Sequence, residues 1–220
     1  MLAASDIHIR TNVASKSRAV NIERFRRLLK FVEATRVKAV AIVGDLFDNI
    51  HIKLTEGELV RLIKPIAASL GLLAGVDTFI YVPSSSSHDP IVDDAVSFTV
   101  NGVNVFIAPK YVKITLNGCR ESVYLTHGDL AVRDGLLAGL IALLSRPLKY
   151  PLFEVLIRHR LNVDSDGWVV AGHSHFPIFN SGLRVANAGS LAKALPWGFA
   201  SALYVACIDG SLRILPVFAK

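Results

Sequence analysis

The chain has 220 residues, is 52% hydrophobic and carries a net charge of +6, with a mean hydropathy of +0.45. That length supports one substantial core, and no apolar stretch reaches the roughly 18–20 residues of a membrane-spanning helix, so no transmembrane segment is expected. Cys119 and Cys207 are the only cysteines, too few and too scattered to suggest a disulfide framework or a thiolate zinc site.

Asp6 and His8 stand so near the N-terminus that no cleavable signal peptide is read ahead of them. The expected location is a reducing cytoplasm. The positive balance favours an anionic partner such as a nucleotide or other phosphate-bearing substrate, nucleic acid or a lipid headgroup. Arg24, Arg26, Arg27 and Lys30 share one expected helix, and Arg158, His159 and Arg160 another; both groups read first as solvated faces. With no glutamine and a single methionine, the composition leans toward thermophile usage.

In chain order, a short strand leads into Ser5-Asp6. Asn21 is expected to cap a helix from Ile22 to about Thr35, with Ile22, Phe25, Leu29 and Val32 on one face. Val37 to Val43 reads as a buried strand ending at Gly44-Asp45. Thr55 and Glu58 form a capping box ahead of Leu59, Leu62, Ile63 and Ile66. Pro65 is expected to kink or shorten that helix. A third strand spans Asp77 to Val82, with a loop from Pro83 to His88.

Asn101-Gly102 and Asn117-Gly118 are hairpin turns between strands near 97–100, 103–108, 113–116 and 122–125. The last of these delivers His127. An insert at 134–160 contains Gly135 to Leu144, apolar on every face. Such a helix is expected to be covered within the chain or in a dimer, with a lid over a substrate or lipid contact as the alternatives. Strands at 168–171, 183–186, 202–208 and 212–218 follow. No linker separates domains. The expectation is one α/β domain over 1–220, two sheets packed face to face with helices outside.

Five of the seven histidines sit in short patterns at the ends of strand-like runs. They are Asp6-x-His8, Ser87-His88-Asp89, His127-Gly128-Asp129 and Gly172-His173-x-His175, accompanied by Gly44-Asp45-x-x-Asp48. Strand ends of an α/β sheet meet in one crevice, and carboxylates with imidazoles are ligands for divalent metals. On a strand, Asp6 and His8 would share a face. Asp45 has two oxygens and can bridge two ions. Alone it would read as a helix cap. Mixed His/Asp ligation suits manganese, iron or zinc.

This ordered set resembles the calcineurin-like metallophosphoesterase family, whose motifs run D-x-H, G-D-x-x-D, G-N-H-D/E, a lone histidine and G-H-x-H. The resemblance spans nearly the whole chain, and Asn187 to Ser190 is similar to the family's N-P-G-S turn. It implies a four-layer α-β-β-α sandwich and a hydrolase with two divalent ions. It places Asp6, His8 and His175 at one ion, His127 and His173 at the other, and Asp45 between them. It puts His88 beside the scissile phosphate with Asp89 orienting its ring, and Asp48 and Asp129 as supporting acids. Hydroxide generated at the metals would attack a phosphodiester, pyrophosphate or phosphomonoester.

Ser87 stands where the family has an asparagine ligand, and Ser86 where it has glycine. A hydroxyl is a poorer donor than an amide oxygen, so the second ion site is open to question. The alternative reading is therefore a catalytically weakened binding or scaffold protein. The insert after His127-Gly128-Asp129 also resembles the branch of UDP-diacylglucosamine pyrophosphohydrolases, which usually carry arginine where this chain has His88.

Overall fold

A computed structural model describes residues 1–9, 15–148, 150–191 and 200–219. Its elements in chain order are β1 (Leu2–Ala4), α1 (Ser15–Thr35), β2 (Ala39–Val43), α2 (Glu56–Ala74), β3 (Thr78–Val82), β4 (Val96–Val100), β5 (Val103–Ile107), β6 (Tyr111–Thr115), β7 (Ser122–Thr126), α3 (Gly135–Leu148), α4 (Leu152–Arg160), β8 (Trp168–Ala171), β9 (Pro177–Asn180), β10 (Val185–Ala188), β11 (Ala200–Ile208) and β12 (Ser211–Ala219). One sheet has the order β12-β11-β1-β2-β3-β5-β4, and the other β6-β7-β8-β10-β9.

Three apolar clusters separate four layers, and strand alternation assigns residues to them. Leu2, Val40, Ile42 and Phe79 on one face of the first sheet pack with Leu28 and Val32 of α1 and Leu59 and Ile63 of α2. Their neighbours Ala3, Ala41, Val43 and Ile80 face the other way, against Val123, Leu125, Trp168 and Val170 of the second sheet. The outer face of that sheet, Val169, Ala171 and Val185, packs on Ala138 of α3 and Phe153 and Ile157 of α4. The architecture is the expected α-β-β-α sandwich.

β1, β2 and β3 are mutually parallel, as are β7 and β8. The segments after their C-terminal ends carry Asp6, Asp45, Ser84–Asp89, His127 and His173. Two sheets thus bring five chain segments to one edge.

Several expectations are corrected. α1 begins at Ser15, well before Asn21, so Asn21 is no cap. The Thr55–Glu58 capping box forms, but the helix continues through Pro65 to Ala74. Pro65 lies on the exposed side, where the lost N–H bond leaves a carbonyl to water. β9 was not read from sequence; it is an edge strand whose first residue is Pro177, where a missing donor is tolerated.

The apolar insert forms α3 and α4, and among the described residues α3 is covered on one side only. Ala138 and Ala142 are buried, while Leu136 is 88% exposed and Leu140, Leu144 and Leu148 are about half exposed or more. No helix among the described residues is long and apolar enough to cross a membrane. Cys119 and Cys207, read as unconnected, form a disulfide that joins the β6–β7 turn to β11. Their separation of 88 residues hides a Cα–Cα distance of 5.6 Å.

Candidate metal centre

The backbone at the crevice is left-handed. Asp6 (φ 54°), His8 (φ 54°), Asp45 (φ 49°), His173 (φ 74°) and His175 (φ 59°) account for five of the eleven non-glycine residues with positive φ among the described residues. Such a conformation costs on the order of 1–3 kcal/mol each and persists where the surroundings over-determine it, typically at functional sites. The expected strand geometry for Asp6-x-His8 is thus replaced by a turn: β1 stops at Ala4, and the amides of Ile7 and His8 both donate to the Asp45 carbonyl at 2.9 Å.

Glycines let these turns approach. A Cβ on Gly44 would lie 2.0 Å from the His127 ring, and one on Gly172 would lie 1.7 Å from Ser5 Oγ. Ser5 Oγ has both the Val43 carbonyl (2.9 Å) and Asp6 Oδ2 within reach of its single proton. The His173 amide donates to the same Asp6 oxygen at 3.1 Å, so the two sheets are tied through one carboxylate.

Potential ligand atoms gather in three groups: Asp6, His8 and His175; Asp45, His127 and His173; and His8, Asp48 and His88. In the first, His175 Nε2 lies 3.2 Å from Asp6 Oδ1. Asp6 Oδ1, His8 Nδ1 and His175 Nδ1 are buried without a hydrogen-bond partner, a cost that a cation would relieve.

The second group is more constrained. His127 Nδ1 faces the Val43 carbonyl at 2.9 Å, and His173 Nε2 faces the Val132 carbonyl at 2.9 Å. A carbonyl only accepts, so both nitrogens carry the proton and the neutral rings present lone pairs at His127 Nε2 and His173 Nδ1. These lie 3.0 Å apart, with Asp45 Oδ1 3.4 Å from His127 Nε2. Three acceptors converging in a buried place need a proton or a metal cation, and carbonyl-anchored imidazoles are the usual support of a metal ligand.

Electrostatics agree. Burial opposes charge on His127, but the Asp45 carboxylate outweighs it and raises the imidazole well above its ordinary value. Burial likewise opposes ionisation of Asp45, yet the charge and hydrogen bond of His127 hold it far below the usual carboxylate range. Burial and the neighbouring His127 lower His173. The other oxygen of Asp45, Oδ2, faces His8 Nε2 at 3.9 Å. One carboxylate therefore turns an oxygen to each group.

Two expected roles change hands. Ser87 is exposed, and it is Ser86 whose hydroxyl donates to Asp45 Oδ1 at 2.9 Å. The loop is displaced by one residue from the motif reading. Asp89 does not orient His88. It is fully buried and accepts from the amides of Phe47 (3.0 Å) and Ser84 (2.8 Å). Burial, with Asp45 nearby, raises its carboxyl to about 6 against those bonds. His88 Nδ1 instead faces the Asp48 carbonyl at 3.0 Å and lies 4.0 Å from its carboxylate. Asp129 accepts from the Ser85 amide.

Glu154 was not singled out from sequence. It is fully buried and accepts from Asn187 Nδ2 at 2.9 Å, while that amide also donates to the Gly172 carbonyl at 2.9 Å. Its place behind His173 was not readable, because an acid in an amphipathic helix normally faces water.

Two cavities flank the groups. One of about 510 Å³ is bordered by Ser84, Ser85, Ser86, Lys110, Asp129 and Arg133. An apolar groove of about 460 Å³ lies between α3 and the segment of His175 and Phe176.

No family model and no curated protein matches the chain. Among solved structures it is similar to a single mutant of Vps29 from Entamoeba histolytica, at 17% identity and a TM-score of 0.45, with 100% of this chain and 98% of that chain covered. It is similar to a double mutant of the same protein at 15% identity and 0.44, covering 100% of both chains. It is also similar to Vps29 from Chaetomium thermophilum at 11% identity and 0.44, covering 99% of this chain and 95% of that one.

Proposed function

We propose that the chain is a metal-dependent phosphoesterase. Asp6, His8 and His175 would hold one divalent ion, His127 and His173 a second, and Asp45 would serve both. The observation that carries this reading is the facing pair of lone pairs on His127 and His173 beside an ionised Asp45. Bound divalent ions supply an acidified water and positive charge for the phosphate oxygens.

The chain's own residues do the rest. The carbonyls of Val43 and Val132 fix the rings of His127 and His173. Ser86 donates to Asp45 and steadies its carboxylate. The Asp48 carbonyl orients His88 through Nδ1, and the part-exposed ring turns Nε2 outward, where it can donate to a phosphate or leaving-group oxygen only as the imidazolium. Hydroxyls, imidazoles and carboxylates at this density suit a phosphodiester, pyrophosphate or monoester, with manganese, iron or zinc as the ions.

A second reading, a binding or scaffold protein with a weakened site, is supported by the exposed leucines of α3 and by the exposure of Ser87. Turnover separates the two. The expected result is manganese-dependent hydrolysis of bis-p-nitrophenyl phosphate that Asp45→Asn reduces by at least about a hundredfold, the scale of losing one preorganised charge-stabilising group. Binding of one ion or none, with no hydrolysis under any tested metal, would leave the scaffold reading standing.

A further inference from the structure

We infer that Lys110 and Arg133 form a subsite for a second anionic group on the substrate, selecting small phosphoesters that carry another phosphate or carboxylate next to the attacked phosphorus. The inference rests on the phosphoesterase reading for the position of the first phosphate.

Both cations border the 510 Å³ cavity whose wall includes Ser84, Ser85 and Ser86. Ser86 links that wall to Asp45 by one hydrogen bond of 2.9 Å. The volume is that of a small-molecule site. Each cation is placed by backbone that also holds a histidine of the second group. The Lys110 carbonyl accepts from Thr126 Oγ1 at 2.8 Å, the residue before His127. Arg133 follows Val132, whose carbonyl accepts from His173 Nε2.

The cavity is also lined by two acids: Asp93 is paired with Lys53, and Asp129 is turned to the neutral amide of Ser85 rather than to a cation. Among the described residues, neither Lys110 nor Arg133 has an acidic partner. Two unpaired cations beside a phosphate position attract a second anion, and an arginine can grip it with two donors. The cavity volume of about 510 Å³ is that of a compact ligand. For a diphosphate substrate, the water oxygen joins one phosphorus and the bridging P–O bond breaks. The held phosphate leaves with the electron pair, and the water's protons are shared between products and solvent.

The test compares kcat/KM for ADP-ribose and for bis-p-nitrophenyl phosphate, which has one phosphate and no further anion. It uses the wild type, Lys110→Ala, Arg133→Ala and Arg133→Lys. The ratio of the two should fall about tenfold or more in each alanine variant, the usual scale of a lost charge-assisted bond. Arg133→Lys should recover part of it, and the ratio should shrink with added salt. Phosphoglycerate in place of ADP-ribose reports a carboxylate as the second group by the same ratio.

An unchanged ratio, or better cleavage of a single-stranded oligonucleotide than of either small ester, would overturn the inference. If no ester is hydrolysed, calorimetric binding of ADP in the presence of EDTA still decides. Binding that weakens about tenfold in Lys110→Ala supports the subsite while the phosphoesterase reading fails, and no binding overturns the subsite itself.

Discussion

His127 Nε2 and His173 Nδ1 face one another at 3.0 Å, each ring pinned by a carbonyl on its far nitrogen. His127 is raised above its ordinary value against its burial, by the charge and hydrogen bond of Asp45 and the charges of Asp6 and Asp129, so without a metal the ring is held toward its protonated form. Metal binding should displace that proton. Titrating manganese or zinc into weakly buffered protein near pH 7 should acidify the solution, and affinity should weaken as pH falls through the raised His127 value. His173→Ala should cut both the proton release and the ion count. Metal uptake with no proton release would show that the two rings do not share a cation.

Saturating metal should also stabilise the fold. An ion at a hundred times its dissociation constant adds about 2.7 kcal/mol, visible as a rise in melting temperature. Ser87→Asn should leave this shift unchanged because Ser87 is exposed. Ser86→Asn should alter it, since that side chain meets Asp45. The opposite ranking of the two variants would restore the motif's original register.

Gly44→Ala is expected to cost roughly 2–5 kcal/mol, combining a left-handed backbone with overpacking. Its Cβ would lie 2.0 Å from the His127 ring, and its φ is +80°. Urea unfolding measures the loss, and metal binding should fail with it. A variant as stable as the wild type would mean that the turn and the ring are not packed this way.

Glu154 sets a pH dependence. Its carboxyl, fully buried, is raised from an ordinary value of 4.5 to about 7, first by burial and in spite of the bond from Asn187. A raised acid keeps its proton in the folded state after the unfolded state has lost it. Stability is therefore complete below about 4.5, falls as pH rises to about 7 and levels off above that, with a total on the order of a few kcal/mol. Glu154→Gln should flatten the curve over that window in denaturant melts of the metal-free protein. An equally steep fall in the variant would move the effect to another group.

Reducing the Cys119–Cys207 bond should lower stability by about 4.6 kcal/mol, the loop-entropy scale for a closure of this size, given a separation of 88 residues. Non-reducing mass spectrometry after alkylation should find no free thiol, and Cys207→Ser should melt like the reduced protein. Free, alkylatable thiols in the untreated protein would contradict the bond.

The sequence by itself determined the layers and which His and Asp residues stand at the ends of inner strands. Runs such as Val40–Val43 and Val169–Ala171 are apolar on both faces and can only be inner strands, and Thr55 with Glu58 stops and starts the chain locally. His and Asp at the ends of such runs mark a crevice because parallel strands finish on one edge. Tertiary structure alone decided the rest. The left-handed turns at Asp6, His8 and His175 depend on contacts between sheets. The choice of Ser86 over Ser87, and of Asp48 over Asp89 as the partner of His88, depends on how one loop closes over another. The bond between Cys119 and Cys207, the burial of Glu154 and the exposure of Leu136 likewise depend on residues far apart in the chain. Local pattern records which face of an element is apolar; it does not record which distant atoms come to meet it.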